Sequence, residues 1–81
     1  MTPSTGPYAV VDVVALARGR SAFRADRPDP ALTELERAGD LAVAAEDHET
    51  RTVAMLLLAV VLTQTGRLDD AARRFDEVIA I

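Results

Sequence analysis

The chain has no cysteine, tryptophan, lysine or asparagine, and its aromatic residues are one tyrosine and two phenylalanines. Without cysteine there is no disulfide framework and no thiolate metal site to supplement a small core. With so few aromatics, that core has to be made of alanine, valine and leucine, which suits close-packed helices better than a sandwich or barrel. The longest uninterrupted apolar run, Val53 to Leu62, has ten residues. A bilayer span takes about 20, so no membrane association is expected. No segment alternates with period two long enough to make a strand. The first seven residues, MTPSTGP, lack the charged and apolar regions of a secretory signal and read as a disordered leader. A cytoplasmic protein is the expectation.

All nine basic residues are arginine, against thirteen acids, for a net charge of −4 and a pI near 4.7. That balance weighs against nucleic acid, which rewards a basic face. The arginine-only, Ala- and Val-rich composition is that of a GC-rich bacterial genome. Charge is unevenly spread. Residues 8–27 carry four arginines and two aspartates, whereas residues 28–50 carry one arginine and seven acids. The simplest expectation is two solvated faces attracting each other within the fold.

At 81 residues the chain is one domain with a modest core, so stability has to come from idealised helix packing or from association. The spacing predicts four helices. The first runs from about Tyr8 to Arg24, with Val10, Val13, Val14, Leu16, Ala17 and Phe23 as its apolar stripe. Gly19 weakens it by roughly 1 kcal/mol relative to alanine, unless a neighbouring helix needs the space. Pro28 biases Arg27 away from helix, Asp29 is a suitable N-cap, and Pro30 then opens a second helix to about Glu46. Its core face is Leu32, Leu35, Ala38, Gly39, Ala42 and Ala45. A third helix spans Glu49 to Thr65. Its centre, VAMLLLAVVL, is apolar on every side, as in helices surrounded by protein. Gly66 ends it as the C′ residue. Asp69 caps a fourth helix, which buries Ala71, Ala72, Phe75, Val78 and Ile79.

The pattern is written twice, 40 residues apart. Val13, Leu16, Arg27, Asp29 and Ala31 recur as Val53, Leu56, Arg67, Asp69 and Ala71. Leu35 and Ala38 return as Phe75 and Val78. A period in this range marks a helical repeat, whose units bury their apolar faces on each other and present a surface to a partner.

Residues 53–78 resemble the tetratricopeptide repeat. Met55, Leu58, Ala59 and Leu62 match the family's first-helix packing positions, Gly66 its turn glycine, and Ala71, Phe75 and Val78 its second-helix positions. The first copy departs more. Arg18 stands where leucine is usual, which implies a terminal helix with one wet edge, and Asp26 replaces the glycine; Ala31, Leu35 and Ala38 keep the pattern. The 40-residue period is longer than the usual 34 and is similar to variants in bacterial regulatory ATPases and transcriptional activators. The resemblance implies an all-α fold of four antiparallel helices. They form two hairpins, at about 8–46 and 49–81, as a fragment of a right-handed α–α superhelix. It further implies a groove lined by the first helix of each hairpin. Its residues are Val13, Leu16, Arg20, Phe23 and Arg24 in the first copy, and Val53, Leu56, Val60, Thr63 and Gln64 in the second. The groove lacks the Lys/Asn/Arg set with which some family members clamp a terminal carboxylate. The expected ligand is therefore a helical or apolar peptide segment.

Nothing points to catalysis. There is no Gly-rich phosphate loop and no thiol nucleophile, and Ser4 and Ser21 lack a positioned base. His48, between Glu46, Asp47 and Glu49, is the only histidine and reads as part of a solvated turn. Arg73 and Arg74 lie among Asp70, Asp76 and Glu77 as surface pairs. The expectation is thus a non-enzymatic module that binds a protein or peptide and needs no cofactor, metal or nucleic acid. Repeat arrays need a polar cap and three or more units, so the chain is also expected to self-associate, as a homodimer, or to be the opening part of a longer regulatory protein.

Overall fold

The computed structural model describes residues 7–80, with side chains from Val11 onward. The expected leader lies outside the described residues, except for Pro7; so do Ile81 and the side chains of Tyr8 and Val10. Four helices follow in order: α1 (Pro7–Arg24), α2 (Pro28–Ala45), α3 (His48–Gln64) and α4 (Leu68–Ala80). There is no strand among the described residues. Each helix packs on the next in antiparallel-like pairs, α1 also touches α3, and α4 has α3 as its main neighbour. The Cα trace measures 44 × 29 × 13 Å. Helix axes about 8–10 Å apart, each with a Cα radius of about 2.3 Å, make that thinnest dimension two helices deep.

All three turns end a helix in the same way. Asp26 and Arg27 donate their N–H groups to Phe23 and Ala22 at 3.1 and 2.9 Å. Forty residues on, Gly66 and Arg67 donate to Thr63 and Leu62 at 3.1 and 2.9 Å. Glu46 and Asp47 close α2 onto Val43 and Ala42 with the same pair of bonds. This is the Schellman ending, which needs a left-handed residue at C′. Asp26, Glu46 and Gly66 take it, with φ of 57°, 56° and 80°. The ending is common to every turn and does not by itself mark the 40-residue period, but at the two matching positions Asp26 adopts the conformation that Gly66 supplies.

Helix starts differ from expectation. Pro28, not Pro30, opens α2, and Arg27 at the cap has no side-chain cap bond. Arg27 is extended (φ −118°, ψ 83°), as the following proline requires, and Pro28 fits the first helical position directly. Asp29 thus lies inside the first turn, where it favours the helix dipole without capping. The same shift applies to α4, which starts at Leu68, so Asp69 and Asp70 both sit in its first turn. The side-chain cap is at α3, where Asp47 Oδ1 accepts from the Thr50 N–H at 3.1 Å.

The core is built from the predicted small and branched residues. Ala31, Ala38, Ala54 and Ala59 have no accessible surface, and Leu35, Leu58, Val61 and Leu62 fill the space between the helices. Gly19 is buried at the α1–α2 crossing. A Cβ there would stand 2.6 Å from Leu35 Cδ2, the close approach that justifies glycine in a helix interior. The α1 stripe is rotated from the expected one: Asp12, Ala15, Leu16 and Gly19 face inward, while Val13, Val14 and Ala17 are exposed.

Two further expectations fail for one reason. On α4 only Ala71 is buried, Val78 is half-buried, and Ala72, Phe75 and Ile79 are exposed. On α3, Leu56 is 40% exposed, so this apolar helix is not enclosed. Among the described residues no helix packs beyond α3 and α4 in the way that α3 packs beyond α1 and α2.

Candidate protein-binding groove

The ten groove positions divide into separate surroundings. Val13, Leu16, Arg20 and Arg24 come together with Ala17 along α1, lining a shallow depression of about 250 Å³. Leu16 is its buried floor and belongs to the core; Val13 stands exposed, and the two arginines form a rim. Phe23 and Gln64 meet at a smaller hollow of about 70 Å³, against the turn residues Asp26, Arg27, Pro28 and Thr65. Val53 and Phe23 are half-buried against the core. Along α3, Leu56, Thr63 and Gln64 are exposed and Val60 is half-buried. The Thr63 hydroxyl is occupied, donating to the Ala59 carbonyl at 2.8 Å. The α3 positions Val53, Leu56, Val60 and Thr63 are not gathered into these two hollows.

A larger cleft lies elsewhere. It opens between α2 and α4, over α3, with a volume of about 540 Å³. Leu32 and Leu62 are apolar members of its lining, and the charged ones are Glu36, Arg67, Asp70, Arg73, Arg74 and Glu77. Each acid has an arginine partner. Arg74 bonds Glu36 at 3.4 Å across the cleft and Glu77 at 3.5 Å along α4, and Arg73 pairs with Asp70. These acid side chains are 45–56% exposed, so solvent screens them and they form a surface network, not a sequestered acid pair. The ion pairs among the described residues thus gather on α4, and do not join the basic α1 to the acidic α2 as the charge distribution suggested. Sequence spacing shows the pairs within α4, but Glu36–Arg74 joins residues 38 apart and has no local signal.

Asp12 was also missed. It is fully buried, and neither carboxyl oxygen has a hydrogen-bond donor. Its neighbour is the Asp47 carboxyl. Burial chiefly raises the Asp12 pKa above the usual carboxylate range, and the hydrogen bond and negative charge of Asp47 add to it. Asp47 moves the other way, held down by the hydroxyl and backbone N–H of Thr50 and by the nearby His48 charge. A signal existed in the sequence, because Asp12 lies three, four and seven residues before Ala15, Leu16 and Gly19, on their face.

Among the described residues no group of three or more acidic or histidine side chains could hold a metal ion, and no helix is long and apolar enough to cross a membrane. Set against protein-family models, curated proteins and solved structures, the chain matches none of them.

Proposed function

We propose that the chain is a non-enzymatic protein-interaction module of tetratricopeptide-like build, a fragment of a right-handed α–α superhelix that binds a helical or apolar peptide segment along α1 and α3. One observation carries this reading. The first helix of each pair keeps a large apolar residue in solvent, Val13 on α1 and Leu56 on α3, in a chain whose sequence pattern recurs after 40 residues. A stacked-hairpin scaffold with exposed apolar positions on corresponding helices suits helix-in-groove recognition.

The test is a selection of displayed amphipathic helical peptides against the chain. Binders are expected, and Leu56→Asp and Val13→Asp should each weaken them at least about tenfold while helix content by circular dichroism stays unchanged. No binders, or binders indifferent to both substitutions, would end the proposal. Unfolding by Leu56→Asp would place that residue in the core and remove it from the groove.

A further inference from the structure

α4 carries two apolar seams, and only one is used. Ala71 and Val78 point toward α3. The other apolar side chains of α4 reach solvent: Leu68 is 63%, Phe75 38% and Ile79 82% exposed, with Ala72 exposed beside them. The first repeat shows what such a face does when complete. Leu32, Leu35 and Gly39 occupy on α2 the places of Ala72, Phe75 and Ile79; all three are buried, with α3 packed on α2 and Met55 3.9 Å from where a Gly39 Cβ would stand.

We infer that this open face is covered by the same face of a second copy, α4 against α4 across a two-fold axis. The seam is self-complementary. Its members are spaced four, three and four residues apart, the spacing of a helix-packing stripe. In an antiparallel pair centred between Arg73 and Arg74, Leu68 stands level with the partner's Ile79, and Ala72 with the partner's Phe75. Small residues oppose large ones near the axis, and the same contacts occur twice, as an isologous interface requires. Arg73 is four residues from Asp69 and three from Asp76, on the same flank of the seam.

The alternative arrangement of two copies is a head-to-tail stack that continues the internal repeat, and it is disfavoured residue by residue. It would put α1 where α3 sits on α2. The buried Ala54, Leu58 and Val61 of α3 correspond to Val14, Arg18 and Ser21 on α1, all exposed and two of them polar. The Glu36–Arg74 bridge would become, one period on, Asp76 of one copy against the partner's Glu34, two acids. The α1 face at these positions thus does not match the buried α3 face, which favours the α4 seam pairing with its own copy. Leu68, Ala72 and Ile79 are not groove positions, so this interface stands or falls separately from peptide binding.

Sedimentation equilibrium from low micromolar to near-millimolar concentration tests it. The mass is expected to rise from 8.7 kDa toward twice that value. Ile79→Glu and Leu68→Glu should each raise the dissociation constant at least about tenfold with helix content unchanged; both residues are largely exposed in the single chain. In a chain without cysteine, Ala72→Cys with a short thiol-specific crosslinker is expected to give one covalent dimer, because the axis brings the two copies of position 72 together and a head-to-tail stack does not. A concentration-independent 8.7 kDa species would overturn the inference and leave the face for a different helix. A dimer indifferent to both glutamates, or one that fails to crosslink, would overturn it as well.

Discussion

The carboxyl of Asp12 on α1 faces the carboxyl of Asp47, the N-cap of α3. Asp12 has no accessible surface and no donor from the protein. Asp47 already uses Oδ1 to hold the Thr50 N–H. Burial disfavours the charged form of Asp12, and the negative charge of Asp47 beside it acts in the same direction. The contact couples the docking of α1 on α3 to one proton.

The sign of the pH dependence follows. A raised pKa means that the folded chain binds the Asp12 proton more tightly than the unfolded chain. Its contribution is complete below the unfolded value, near 4, and is lost as pH rises through the folded value. Asp47, with its lowered pKa, contributes above about pH 4 and loses that contribution in stronger acid. Asp12 therefore contributes a fall in stability as pH rises through its folded value, opposite in sign to the contribution of Asp47. Asp12→Asn, which keeps a donor without a titrating proton, should raise Tm at pH 8 relative to the parent chain and remove this part of the pH dependence. An Asp12→Asn chain with the parent's pH profile and Tm would show that Asp12 does not titrate with a raised pKa in the fold.

Gly19 offers a second measurement. Alanine in a helix interior normally gains about 1 kcal/mol over glycine. Here its methyl would stand 2.6 Å from Leu35 Cδ2 and 2.8 Å from Leu35 Cγ, and Leu35 is only 1% exposed. Overpacking of this kind costs about 1–3 kcal/mol. Gly19→Ala is expected to be destabilising by about 1 kcal/mol net. In a double-mutant cycle with Leu35→Val, the two substitutions should cost less together than the sum of their separate costs. A stabilised Gly19→Ala chain would mean that the two helices do not approach so closely.

Much of this fold was legible because helix endings and apolar spacing are local. Gly66, the Pro28 boundary, Gly19 and the α2 core face depend on a few consecutive residues and a 3.6-residue period. Cap positions were off by one or two residues because Pro28 and Leu68 could begin helices without a side-chain cap. The burial of Phe75 and Ile79 was misjudged for a different reason. An apolar stripe shows that a face can be covered, not that a neighbour is present. The groove residues were legible only as positions in a repeat, and whether Val13 and Leu56 share one ligand depends on tertiary arrangement. The Glu36–Arg74 bridge depends wholly on how α4 lies across α3, which no window of sequence contains.

The paired turns permit a comparison within one molecule. Asp26 and Gly66 hold the same C′ position, 40 residues apart, both left-handed. A side chain there pays a conformational penalty that glycine avoids. Asp26→Gly should therefore raise stability by about 0.5–1 kcal/mol and Gly66→Ala lower it by about 1 kcal/mol. Nothing lies within 4 Å of a Cβ built on Gly66, so any loss there is a backbone effect and not a clash. Chemical denaturation of the two single variants decides the matter, and a neutral Gly66→Ala would show that this turn is not held in the left-handed form.

The last measurement concerns Arg74, whose guanidinium reaches Glu36 on α2 and Glu77 on its own helix. The Glu36 pair is the sole ion pair between different helices among the described residues, and it spans the α2–α4 cleft. Its position invites the view that it clamps the fourth helix in place. The carboxylate of Glu36 is 56% exposed and the contact is 3.4 Å, so water and salt screen the attraction, and ordering two long side chains offsets part of what remains. A double-mutant cycle of Glu36→Ala and Arg74→Ala is expected to give a coupling of about 0.2–0.5 kcal/mol at low ionic strength and almost none in molar salt. α4 would then owe its attachment to Ala71 and Val78 against α3, where Ala71→Ser should cost more than the loss of the ion pair. A coupling above about 1.5 kcal/mol that persists in high salt would instead make the bridge a structural clamp, a strength that exposed pairs do not reach.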